Sequence, residues 1–134
     1  MLKEEKKTLT FDEAAAQVEK WFEAIDADIS VIEASDDLRP LKENLLSKVM
    51  SGDVKFGDSQ ELIYTLKYPI DTFTEVKFKN RVQLRHAVKF TGKENFFERA
   101  TKILSAYTAT PTLLIDKMQD KDYNFVCGLL GFFG

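Results

Sequence analysis

Few side chains in this 134-residue sequence could carry chemistry. His86 is the only histidine, so no His-rich metal cluster can form. No nucleophile elbow, P-loop or glycine-rich dinucleotide fingerprint accompanies it. Its default role is that of a surface or half-buried structural histidine. Cys127 is the only cysteine, which excludes an internal disulfide and every multi-cysteine zinc site. It lies in an apolar run and reads as a buried, inert thiol. Asp116, Asp120 and Asp122 are close in sequence, but no EF-hand spacing or loop glycine goes with them. They read as carboxylates at helix ends, in capping and dipole roles. The expectation is no catalytic residue, no metal ligand and no cofactor.

A second kind of chemistry is electrostatic. From Asp12 to Glu61 there are 13 acidic and five basic residues, a net of −8. From Val76 to Lys102 there are eight basic and two acidic residues, a net of +6. Phe78, Phe90, Phe96 and Phe97 interleave with those cations, a composition that can bind single-stranded nucleic acid by phosphate pairing and base stacking. The same phenylalanines also fall at the periods of core faces, which assigns them to packing. The charge contrast then implies complementarity between two parts of the fold, or between neighbouring copies.

The third feature is apolar. FVCGLLGFF, residues 125–133, contains no charge. Three short helices lead into it. Asn95 and Glu98 form a candidate capping box, and Phe96, Phe97, Ala100, Ile103, Leu104 and Tyr107 follow at helical spacing. Thr110-Pro111 starts a second helix, with Pro at its first position. Asp120 can cap the third, which runs through Tyr123, Val126, Leu129, Leu130 and Phe133. Phe125, Cys127 and Phe132 fill its remaining faces. A helix apolar all round is buried in its own core or in a partner, and the pattern leaves both open. The expected arrangement turns Tyr123, Val126 and Leu130 inward and leaves Phe125, Leu129, Phe132 and Phe133 as candidate partner-binding residues. Gly128 and Gly131 would let another backbone approach.

The remaining chain must position these segments. Its length fits one domain, and 44% hydrophobic with 31% charged residues is ordinary for a globular protein. The 11 phenylalanines make aromatic packing prominent. Met1–Lys7 is charged and no apolar stretch follows it, so a signal peptide is not expected. The C-terminal run is less than half of the roughly 20 residues that span a bilayer. Residues 1–9 read as a disordered tail. Residues 10–52 read as an αα-hairpin. Its first long helix carries Phe11, Ala15, Val18, Phe22, Ile25, Ile29 and Ile32, and its second carries Leu38, Leu41, Leu45, Leu46 and Val49. Residues 53–79 change to period two. Val54 and Phe56 precede a turn, Leu62 to Tyr68 alternate until Pro69, and Thr74, Val76 and Phe78 alternate again. Residues 81–90 alternate perfectly, yet also contain helix formers. The fold class expected is α+β: an N-terminal αα-hairpin, a small antiparallel sheet of about three strands, and a C-terminal cluster of short helices over 80–134.

In order and spacing, residues 62–133 resemble the tail assembly chaperones of tailed bacteriophages. The likeness is carried by YTLKYPI at 64–70, TEVKFK at 74–79, the short segment RVQLRHAVK, then FFERATKILSAYT, PTLLIDKMQDKD and the closing YNFVCGLLGFF. The N-terminal helical hairpin and Asn80-Arg81 depart from the family pattern. The resemblance implies a helix over 81–89 and a non-enzymatic role in the host bacterial cytoplasm. It implies contacts with the tape-measure and tail-tube proteins, homo-oligomer formation, and no membrane. The alternatives are a structural tail or baseplate component retained in the particle and, ranked after it, a small nucleic-acid-binding domain using segment 77–102.

Overall fold

A computed structural model describes residues 8–133. The first seven residues of the expected tail lie outside them. Leu9 is not loose: its N–H donates to the Met50 carbonyl at 3.0 Å and its side chain packs on the core.

Thr10 opens α1 (Phe11–Ala24) with a complete capping box. Its Oγ1 accepts from the Glu13 N–H at 3.2 Å, and Glu13 Oε1 accepts from the Thr10 N–H at 3.0 Å. The long first helix expected from the apolar stripe is two helices, with α2 spanning Ile29–Ala34. The break falls at Asp26, which adopts φ 58°. Asp28 then caps α2, its Oδ1 accepting from the N–H groups of Ser30 and Val31. Short acidic side chains compete for backbone donors, so the helix stops while the stripe continues. Phe22 and Ile25 are buried, and Ile29 packs on the same core. The second arm, α3 (Leu38–Ser51), ends at Gly52, whose φ of 85° is left-handed.

The sheet is antiparallel in the order β1 (Val54–Phe56), β2 (Leu62–Ile70), β3 (Phe73–Lys77). Tyr64 stands between Val54 and Val76 in the register. Leu62, Tyr64, Leu66, Val54, Val76 and Phe78 are buried beneath the sheet, while Lys55, Thr65 and Lys77 are exposed on its outer face. Pro69 does not end β2. The register is irregular between Thr65 and Ile70, so a residue without an N–H is tolerated there.

The alternating residues 81–90 make no fourth strand. Asn80 Nδ2 bonds back to the Ser59 carbonyl at 2.8 Å, and the Lys79 N–H donates to Tyr107 O at 2.7 Å. These two bonds turn the chain off the sheet, and a single helical turn, α4 (Leu84–Ala87), follows. α5 (Phe96–Thr108) is capped by Asn95, whose Oδ1 accepts from the Glu98 N–H at 2.8 Å. The reciprocal bond from Glu98 is not formed. α6 (Thr112–Asp116) has Pro111 at its cap, one residue earlier than expected. α7 (Asp120–Leu129) runs into a 3-10 turn at Leu130–Phe133. Asp120 does not cap α7. It sits in the first turn, where its charge suits the helix dipole.

Buried side chains from both helical parts and the sheet join one hydrophobic cluster. Among the described residues no helix is long and apolar enough to cross a membrane.

Candidate functional site

The four residues expected to face a partner are not on the surface as a group. Phe125, Leu129 and Phe132 are buried, and Phe133 is half-buried. Phe125 packs on Tyr64 with ring centroids 4.6 Å apart. Phe132 lies 5.1 Å from Phe22 and meets Trp21 edge-on at 5.9 Å. Phe133 reaches Tyr107 at 4.5 Å and Phe78 at 6.1 Å. Tyr123 and Leu130, expected inside, are only half-buried, whereas Val126 is buried. The physical reason is coverage: β2, α1 and α3 each take one side of this segment. A Cβ on Gly128 would stand 3.0 Å from Leu41 Cδ2, and one on Gly131 3.0 Å from Leu38 Cδ2. The glycines therefore admit leucine side chains of α3, not another backbone.

Asp122 locks the start of α7 to the sheet. It is wholly buried and accepts three hydrogen bonds, from Tyr64 Oη at 2.6 Å, Lys67 N at 2.9 Å and Tyr68 N at 3.0 Å. The two backbone donors belong to the irregular stretch of β2, which the carboxylate satisfies. Burial, reinforced by the Asp122 carboxylate, pushes the Tyr64 hydroxyl well above the ordinary tyrosine value. This contact is structural. Its sequence signal was weak, because the partners are 58 residues apart.

The exposed chemistry lies instead on α5 and the loop before it. Phe96 is 78% exposed, Phe97 65% and Phe90 40%. Only Phe78 of the four phenylalanines in the basic segment is used up by the core. Phe96 and Phe97 stand edge to face at 5.8 Å, and Leu113 on α6 is 72% exposed. Two clefts, of about 280 and 420 Å³, share a wall made by Phe97, Thr101 and Asp116. Ile115, Met118 and Tyr123 line the larger one, and Glu98 and Lys102 the smaller.

The loop before α5 is held in place by an ion pair. Lys102 Nζ donates to Glu94 Oε2 at 2.7 Å and to the Lys89 carbonyl at 3.1 Å. Glu94 also accepts from the N–H and hydroxyl of Thr91. The Lys102 ammonium, followed by the Thr91 N–H, holds the Glu94 carboxyl well below the usual carboxylate range. Arg99 lies over the Phe90 ring at 5.3 Å and Lys102 at 6.0 Å. Thr91-x-x-Glu94 is a capping-type signal legible in the sequence.

Among the described residues, no group of three or more His, Cys, Asp or Glu could hold a metal ion. His86 is exposed on α4. Cys127 is half-buried, and burial pushes its thiol up. Of the expected complementarity between acidic and basic parts, one ion pair joins the two segments among the described residues: Arg81 to Asp26, at 2.7 Å and largely in solvent. Such a pair contributes little to stability.

Comparison of the chain with protein-family models, curated proteins and solved structures finds no match.

Proposed function

We propose that this chain works by protein–protein contact, as an assembly factor of the kind its sequence resembles, the tail assembly chaperones of tailed bacteriophages. The client would be a largely helical, partly apolar protein in the host bacterial cytoplasm, with the tape-measure protein as first candidate and tail-tube subunits recruited beside it. One observation carries the reading: two adjacent phenylalanines, Phe96 and Phe97, stand in solvent on a chain that buries most of its other large apolar side chains. Exposed aromatics beside clefts are the anchors that helix-in-groove recognition uses. The contact surface is thus moved from the C-terminal segment to the first turn of α5. No chemical step is assigned, and the role is non-enzymatic.

The test is co-expression with candidate tail-tube and tape-measure proteins, followed by purification on a tag carried by this chain alone. Recovery of the tape-measure protein supports the chaperone reading. Retention in finished particles would instead make it a tail or baseplate component.

A second reading has its own observation. Phe96 and Phe97 are available for stacking, and Lys89, Lys93 and Arg99 are exposed near them in sequence. Single-stranded nucleic acid ranks second because Glu94 neutralises Lys102, and Glu98 and Asp116 line the clefts.

A further inference from the structure

β3 is an edge strand, with β2 on one side and, among the described residues, no strand on the other. Which backbone groups it offers follows from one hydrogen bond. The Phe78 N–H donates to Leu62 O at 2.8 Å. Residues of an antiparallel strand alternate in the direction of their backbone groups, so Phe78 and Val76 bond inward to β2. Glu75 and Lys77 therefore present their N–H and C=O groups outward. Their side chains are exposed on the outer face of the sheet. Neither takes part in an ion pair among the described residues.

We propose that β3 pairs antiparallel with β3 of a second copy, about a two-fold axis at Val76, to give a continuous six-stranded sheet. In this register Glu75 stands opposite Lys77 of the second copy, and Lys77 opposite its Glu75. Both pairs are of the hydrogen-bonded type, each exchanging two backbone bonds, because these are the residues whose backbone faces outward. Each also sets opposite charges across the strands. A register shifted by two residues would place Glu75 against Glu75, or Lys77 against Lys77, which the charges oppose. The order of charges on β3 thus selects a copy of itself in one register. Such a contact is isologous and closes as a dimer. Edge charges ordinarily keep sheets apart. Here the copy neutralises them. The Lys79 N–H, committed to Tyr107, limits the contact to a short stretch. The dimer is accordingly weak, and salt screens its exposed ion pairs. It uses neither Phe96 nor Phe97, so it stands independently of client binding.

Sedimentation equilibrium at low and high salt, on the wild type and charge-reversed chains, tests this. The wild type should dimerise reversibly, more tightly at low salt. Glu75→Lys and Lys77→Glu should each weaken association about tenfold or more, since two attractive pairs become repulsive. An equimolar mixture of the two variants should restore a heterodimer, and Glu75→Lys with Lys77→Glu in one chain should restore the homodimer. The double variant also controls for folding. A wild type that stays monomeric at its highest soluble concentration would overturn the proposal. So would single reversals that associate as well as the wild type, or a mixture that fails to restore pairing.

Discussion

The Tyr64 hydroxyl donates a 2.6 Å hydrogen bond to Asp122, which is fully withdrawn from solvent, and so ties the central strand to the first turn of α7. Replacing Asp122 by Ala would leave three buried or half-buried donors without an acceptor. The cost should be about 3–5 kcal/mol, from roughly 1–3 per unsatisfied group with partial relief by water. Tyr64→Phe leaves the carboxylate its two backbone donors and should cost only about 1–2 kcal/mol. Urea midpoints of the two variants check the order. Equal losses would mean that the backbone bonds contribute nothing.

The same pair predicts an alkaline limit. Tyr64 titrates higher in the folded chain than its ordinary value of 10.0, so the unfolded chain loses its proton first. The Tyr64 contribution to stability should be fully present below pH 10 and be lost as pH rises above it. Tyr107 and Tyr123 are shifted in the same direction by burial. Tyr64→Phe should therefore reduce the slope without abolishing it. A slope unchanged in that variant would remove Tyr64 as its source.

Phe132 is core, not contact surface. Phe132→Ala should cost about 3–5 kcal/mol, as expected for removing a buried aromatic ring. Substituting Phe132 and Phe133 together by Ser should unfold or severely destabilise the chain. A cooperative transition with an unchanged midpoint would return these residues to the surface.

On the hairpin, Ile25→Ala should cost about 2–5 kcal/mol, and Ile25→Asp more, because a charge would enter the seam of Phe22 and Leu45. Thermal unfolding followed by circular dichroism reads both. Unchanged melting would show that the stripe faces solvent.

Particular residues show how far the sequence was legible. The change of period at Val54 and the stripes of α1 and α3 gave the α+β class and the three-stranded sheet. Helical spacing could not say which part of a stripe would be covered. Phe97 is four residues from Thr101 and seven from Leu104, on the buried line of α5, yet it stands at the rim beside α6 and α7 and stays exposed. The apolar ending was equally two-sided, because a helix buried by its own chain and one buried by a partner have the same pattern. The role of Asp122 was out of reach, since its partners lie on a strand more than 50 residues away.

The Glu94–Lys102 pair should govern the loop more than the fold. Glu94→Gln should speed amide hydrogen exchange over residues 89–95 while leaving the global midpoint nearly unchanged. Because the Glu94 carboxyl titrates below its ordinary value of 4.5, its contribution is present above that pH and is lost as pH falls below it. Loop exchange in the wild type, corrected for its intrinsic pH dependence, should approach that of Glu94→Gln in acid. Identical exchange in both chains at neutral pH would contradict the clamp.

Phe96 and Phe97 are the proposed anchors for a protein client. The measurement is a calorimetric titration of the proposed client, a tape-measure protein, into the wild type and into the Phe96→Ser, Phe97→Ser double variant. Both side chains are exposed, so the variant should keep its melting temperature. Loss of two anchor aromatics should weaken binding about 30-fold or more, the scale of an interface hot spot. A double variant that binds the client as tightly as the wild type would contradict the account.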